Sequence, residues 1–116
     1  MQLIDVARDY LARMQAHDGP GAAALFTGDG VLDDGNGDHH ASPQAIVRFI
    51  NSLTSNVVVR ESSVVATGDR VTVFGYVGSE LLETSMFRWV FHFDGDRISH
   101  LGNSFLRTMP GVAASP

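Results

Sequence analysis

Two side chains in the first third of the sequence, Tyr10 and Asp34, are of the types needed to move a proton beside a carbonyl group. A phenol can donate a hydrogen bond to an oxygen that gains negative charge, and a carboxylate can accept a proton. This chemistry requires that both groups face one cavity. The first helix and the first strand must therefore point these two side chains into a shared interior.

The spacing of apolar residues predicts three helices in the first half of the chain. An amphipathic helix over 2–17 places Tyr10 on its apolar face, and a short second helix follows over 22–26. Ser42 is suited to cap a third helix and Pro43 to its first position. A short strand over 31–34, ending at Asp34, is expected between the second and third helices.

Four strands are predicted in the second half, over 57–67, 70–79, 84–93 and 97–107. Helices followed by strands predict an α+β fold, in which a curved antiparallel sheet wraps around three helices. We expect a single domain over 1–107 and a loose tail over 108–116.

Alternation along the strand 84–93 assigns its faces. One face is aromatic and is expected inside, with Phe87, Trp89, Phe91 and Phe93. The other face mixes apolar and charged residues, as a homodimer surface does, with Met86, Arg88, Val90 and His92.

The composition argues against several classes of protein. The net charge is −5 and the arginines are scattered singly, so nucleic-acid binding is not expected. Cysteine is absent, which excludes disulfides and thiolate chemistry. We see neither a signal peptide nor an apolar run long enough for a membrane span, and we expect a cytoplasmic protein.

Several segments together resemble the nuclear-transport-factor-2-like superfamily. They are the first helix with Asp9-Tyr10-Leu11-Ala12-Arg13-Met14, the Ala24-Leu25-Phe26 run before an Asp/Gly turn, the Pro-led helix, and the hairpin Phe93-Asp94-Gly95-Asp96-Arg97-Ile98. The superfamily includes ketosteroid isomerases, scytalone dehydratase, limonene epoxide hydrolases and SnoaL-like polyketide cyclases. The resemblance covers roughly residues 3–107 and implies a cone with an apolar pocket in its mouth.

The resemblance to ketosteroid isomerase implies roles for three positions. The tyrosine that hydrogen-bonds the substrate oxygen falls on Tyr10, and the aspartate that transfers the proton falls on Asp34. The third family residue is a protonated aspartate, and this chain has Trp89 there, whose indole nitrogen can donate one hydrogen bond. In the epoxide hydrolases an arginine bridges two aspartates, and this arrangement has no clear counterpart on the predicted strands 70–79 and 97–107.

Asp34 and Tyr10 also have structural interpretations. Asp34 could begin a solvated turn, because Asp-Gly-Asn-Gly is typical turn composition. As a base it would need the aromatic wall to raise its pKa by desolvation. Tyr10 could equally be an ordinary core tyrosine. Asp33 is expected to point outward.

The remaining pocket residues are expected on the strands and the third helix. Asn103 could hydrogen-bond a ligand, Asp34 or backbone, and Phe74 and Tyr76 line the cavity unless Val71, Val73 and Val77 face inward instead. The other predicted substrate-binding residues are Phe49, Phe87, Phe91, Leu101 and Phe105. His100 is expected on the outer face, and His39 and His40 in a solvated loop without a metal.

The predicted function is acid/base proton transfer without a cofactor on a hydrophobic, steroid-like or polyketide-like molecule. The reaction would be an isomerisation, a dehydration or a cyclisation. The alternatives are a non-catalytic module for ligand binding or dimerisation, and an epoxide hydrolase in which Asp34 activates water.

Overall fold

The computed structural model describes residues 2–53, 58–78 and 85–108. Its helices are α1 (Leu3–Gln15), α2 (Gly19–Ala23) and α3 (Pro43–Asn51). Its strands are β1 (Phe26–Asp33), β2 (His39–His40), β3 (Val58–Thr67), β4 (Arg70–Gly78), β5 (Ser85–Asp94) and β6 (Arg97–Thr108). Residues 57, 79, 84 and 109–116 of the predicted strands and tail lie outside the described part.

The strands form one curved, open sheet in the order β2-β1-β6-β5-β4-β3. Neighbouring strands from β3 to β6 are antiparallel, as predicted. The β3–β4 hairpin turns at Gly68 and the β5–β6 hairpin at Gly95. Both glycines have positive φ, at 60° and 65°, which a residue with a Cβ rarely adopts. The α+β class and the wrapping of the sheet around three helices are confirmed.

The core lies between the helices and one face of the sheet. α1 contributes Val6, Tyr10 and Met14, and the inward residues of β5 are Trp89, Phe91 and Phe93. The expectation that this face of β5 points inward is confirmed. Ser42 caps α3, as predicted, because its Oγ accepts a hydrogen bond from the Ala45 amide at 3.1 Å.

The segment between α1 and α3 differs from its prediction. α2 begins and ends three residues earlier than expected, because Asp18 caps it through the Gly21 amide and Pro20 occupies its first turn. Phe26 therefore begins β1, which also starts earlier than predicted. The strand β2 was not predicted, and β1 pairs with β6 in parallel, with Leu32 opposite Leu101.

Candidate active site

A cavity of about 300 Å³ opens between the helices and the inner face of the sheet. Its wall is mostly apolar, with Met14, Phe49, Val77, Phe87, Trp89 and Phe105. Three polar residues, Asp34, Asn36 and Asn103, lie in the same wall. Six predicted site residues are thus brought together here: Asp34, Phe49, Phe87, Trp89, Asn103 and Phe105.

Asp34 follows β1 directly and is held by three hydrogen bonds. Its Oδ1 accepts the backbone N–H groups of Asn36, at 2.8 Å, and Asp38, at 3.1 Å. Its Oδ2 lies 2.8 Å from Nε2 of His40. The turn that the composition suggested is therefore present, yet Asp34 is only 9% exposed and lines the cavity. The predicted turn is thus confirmed, whereas the expectation that its carboxylate would be solvated is wrong.

The expectation of a raised pKa for Asp34 is wrong. Burial alone would raise the pKa of this carboxyl group. The hydrogen bonds from His40, Asn36 and Asp38 stabilise the charged form, and together they lower the pKa below its usual range. Asp34 is therefore a carboxylate at neutral pH.

His40 is the polar neighbour of the site that the sequence interpretation missed. The segment was expected to be a solvated loop, but His39 and His40 form β2 and pair with Asp33 and Leu32. The His40 ring packs against Phe49, with 4.7 Å between ring centroids. The sequence does contain a pattern that indicates this arrangement. His39 follows Asp33 at the same spacing as His40 follows Asp34, which fits an antiparallel hairpin with one Asp–His pair on each face.

The second pair lies on the outer face of the sheet. Asp33 points outward, as predicted, and its two carboxylate oxygens contact His39 Nδ1 and His100 Nε2, the latter at 2.6 Å. The hydrogen bond from His100 is the main cause that lowers the pKa of Asp33. His100 is thus on the outer face, as expected, next to His92.

Trp89 and Asn103 face each other across the β5–β6 ladder. The indole Nε1 of Trp89 and Oδ1 of Asn103 are buried, and neither has a hydrogen-bond partner among the described residues. Unpaired buried polar atoms are uncommon in native proteins, and they are often explained by an absent ligand or water. No backbone N–H of the described residues donates to this oxygen, and a bond to the Asp34 carboxylate could come only from the amide N–H group of Asn103.

Tyr10 is not among the residues that line the cavity. Its ring is 1% exposed and packs edge-on against Phe26 and Phe91, and burial raises the pKa of its phenol. Met14, one turn further along α1, reaches the cavity instead. The predicted meeting of a phenol and a carboxylate in this cavity is wrong, and Tyr10 is a core tyrosine.

Four predicted substrate-binding residues are also corrected. Phe91 and Leu101 point toward the inside of the sheet, as expected, but they are fully buried in the core and do not line the cavity. Phe74 and Tyr76 lie on the outer face, because Val71 and Val73 occupy the inner face of β4. The alternative stated for β4 is therefore the correct one.

Within the described ranges, no group of three or more His, Asp or Glu side chains is placed to hold a metal ion. In the same part of the chain, Asp34 is the one carboxylate in the cavity wall and no arginine lies beside it. The described wall thus lacks the Asp-Arg-Asp arrangement of the epoxide-hydrolase alternative. No helix of the described residues has the length and hydropathy to cross a membrane.

The open curved sheet packed on three helices defines the nuclear-transport-factor-2-like class of fold. A protein from Sphaerobacter thermophilus is similar at 34% identity and a TM-score of 0.77, over 90% of this chain and 95% of that one. A protein with a ketosteroid isomerase-like fold from Catenulispora acidiphila, in complex with trimethylamine, is similar at 17% identity and a TM-score of 0.76, over 84% and 82%.

An NTF2-like protein of unknown function from Cytophaga hutchinsonii has 11% identity and a TM-score of 0.76, over 99% of this chain and 96% of that one. At this low identity the likeness concerns the fold. The family model of the SnoaL-like domain matches residues 7–101, and the chain belongs to this family. No curated protein matched the chain.

Proposed function

We propose that the cavity binds a hydrophobic, oxygenated small molecule and transfers a proton beside its carbonyl group, without a cofactor. The observation that carries the proposal is the ionised Asp34 carboxylate, fixed by three hydrogen bonds in the wall of a mostly apolar cavity. A carboxylate held in this way keeps its orientation while it accepts a proton. An isomerisation, a dehydration or a cyclisation could begin with this step.

The substrate oxygen needs hydrogen-bond donors where its negative charge develops. The Trp89 indole and the Asn103 amide are suited to this role, since both can donate and both lie in the cavity wall. Turning the indole toward a ligand would break no hydrogen bond between its Nε1 and the described part of the chain. In this proposal Trp89 and Asn103 replace the phenol that the sequence suggested.

The proposal is tested with 2-tetralone, a fused-ring ketone with acidic protons beside its carbonyl. Proton NMR in D₂O measures how fast these protons exchange for deuterium. We expect the wild-type protein to accelerate the exchange, and Asp34→Asn to reduce the acceleration about 100-fold or more, as loss of a general base does. Trp89 is the chain's one tryptophan, so its fluorescence reports binding of the ketone in both proteins.

The matched control is Asp33→Asn, which changes the adjacent carboxylate on the outer face. We expect this variant to exchange the ketone at the wild-type rate. If Asp34→Asn and wild type exchange bound 2-tetralone equally fast, Asp34 is not the base.

A non-catalytic ligand-binding module is the second proposed function. The lowered pKa of Asp34 favours it, because a carboxylate of low pKa is a weak base at neutral pH. In that case Trp89 fluorescence would respond to the ketone with no accelerated exchange. Asp34→Asn would then alter affinity alone.

A further inference from the structure

His40 connects the buried Asp34 to the protein surface. Its Nε2 lies 2.8 Å from Oδ2 of Asp34, and its side chain is 20% exposed, against 7% for that of Asp34. The other oxygen, Oδ1, already accepts two backbone N–H groups. A carboxylate has about four acceptor positions. Three are therefore filled by the protein, and the fourth is left for a proton from a substrate.

We infer that His40 is a positioning residue that fixes Asp34 and makes its strength as a base depend on pH. The inference rests on the proposed proton transfer and names the group that regulates it. A protonated imidazole beside a carboxylate stabilises the negative charge and weakens the base. A neutral imidazole still donates a hydrogen bond but adds no charge. Histidine is the side chain whose charge ordinarily changes between pH 5 and 8.

Among the described residues, Asp34 is the titratable side chain that His40 contacts directly. In the described sheet, β2 pairs with β1 alone, and Asp33 and His39 at that pairing lie on the opposite face. From α3, Phe49 contacts the ring, and the charged residue of that helix, Arg48, is exposed. Asp38 is exposed and reaches the site through its backbone N–H. A change of charge on His40 therefore acts first on Asp34.

The test compares wild type with His40→Gln and His40→Ala in the 2-tetralone exchange between pH 5 and 8. The rate of Asp34→Asn at each pH is subtracted as background. A glutamine amide can still donate to Oδ2 but does not titrate. We expect the wild-type rate to rise with pH, and the His40→Gln rate to be independent of pH. His40→Ala should be about tenfold slower than His40→Gln at every pH, because the carboxylate loses its orientation.

The control is His39→Gln, which changes the neighbouring histidine on the outer face. We expect it to retain the wild-type rate and pH profile. A His40→Gln profile that rises with pH like the wild type would overturn the inference, and so would a His40→Ala rate equal to that of His40→Gln.

A second measurement does not depend on catalysis. The ¹³Cγ NMR signal of Asp34 should move between pH 5 and 8 in wild type and stay constant in His40→Gln. A constant wild-type signal would refute the coupling. If no variant accelerates exchange while this signal still moves, the proposed proton transfer fails and the link between His40 and Asp34 stands.

Discussion

Asp33 and Asp34 are consecutive carboxylates that lie on opposite faces of the sheet, and each meets its own histidine. Asp34 pairs with His40 at the cavity, and Asp33 contacts His39 and His100 outside. Both carboxyl groups have a lowered pKa, since their hydrogen bonds favour the charged form. The inner pair is available to a ligand, whereas the outer pair joins β1 to its neighbours β2 and β6. Acid should therefore weaken the outer pair as a contact within the sheet.

Replacing Asp33 with Asn should make the stability of the protein less sensitive to acid. The folded pKa of Asp33 lies below its unfolded value, so the unfolded chain binds the proton more readily. The stabilisation is complete above the unfolded pKa, about 4, and is lost as the pH falls through the lower folded value. Urea unfolding at pH 6, 4 and 3 should show a smaller decline for Asp33→Asn than for wild type.

Asp29→Asn, at an exposed carboxylate of β1, is the control and should decline like wild type. Equal declines for wild type and Asp33→Asn would show that this carboxylate does not contribute to the acid sensitivity.

β4 passes close to both of its neighbours at Gly75. The pairing of β3 with β4 shifts register between Glu61 and Ser63, and Glu61 lies opposite Gly75. A Cβ at position 75 would come within 2.7 Å of the Arg60 carbonyl oxygen and 3.3 Å of the Trp89 ring. The glycine thus allows the irregular β3 edge and the cavity tryptophan to pack against the same strand.

Gly75→Ala should lower the free energy of unfolding by about 1–3 kcal/mol, because the added methyl group overpacks this contact. Urea denaturation followed by Trp89 fluorescence measures the change. Gly28→Ala, in β1, is the matched control, since a Cβ there would meet no atom within 4 Å. We expect the control to stay within about 0.5 kcal/mol of wild type. Equal losses for the two variants would contradict the packing argument.

The long elements could be predicted from sequence because their periodicity extends over many residues. α1, α3 and the inward aromatic face of β5 are the clearest cases. β2 could not be predicted, because two residues carry no periodicity and the segment before them has turn composition. Tyr10 and Met14 share one face of α1, and periodicity alone does not say which of them reaches a cavity. The inner face of β4 was likewise ambiguous, since both of its faces carry apolar residues.

The sheet as a whole has an outer face that no helix covers in the described part of the chain. This face carries Phe74, Tyr76 and Val90 together with Arg88 and His92. Apolar residues mixed with charges are typical of a subunit interface. The homodimer expected from the sequence stays a prediction, and this face is where we expect the contact.

Sedimentation at micromolar concentration should give twice the chain mass of 12.5 kDa. Val90→Asp should shift the protein toward the single-chain mass, because a charge in the middle of the interface would be desolvated. Asp96→Asn, in the turn between β5 and β6, should not change the mass. A wild-type mass of one chain would refute the dimer.

The parallel pairing of β1 with β6 affects the order in which the molecule can be assembled. Leu32 of β1 pairs with Leu101 of β6, which is the last strand to be synthesised. β1, the strand that leads to Asp34, can therefore complete its pairing only after almost the entire sheet has been synthesised. Contacts this distant along the chain slow folding, because a long loop must close before they form. Chains truncated before residue 97 should therefore contain α1 and the β3–β4 hairpin, while β1 and the turn that holds Asp34 have no β6 to pair with.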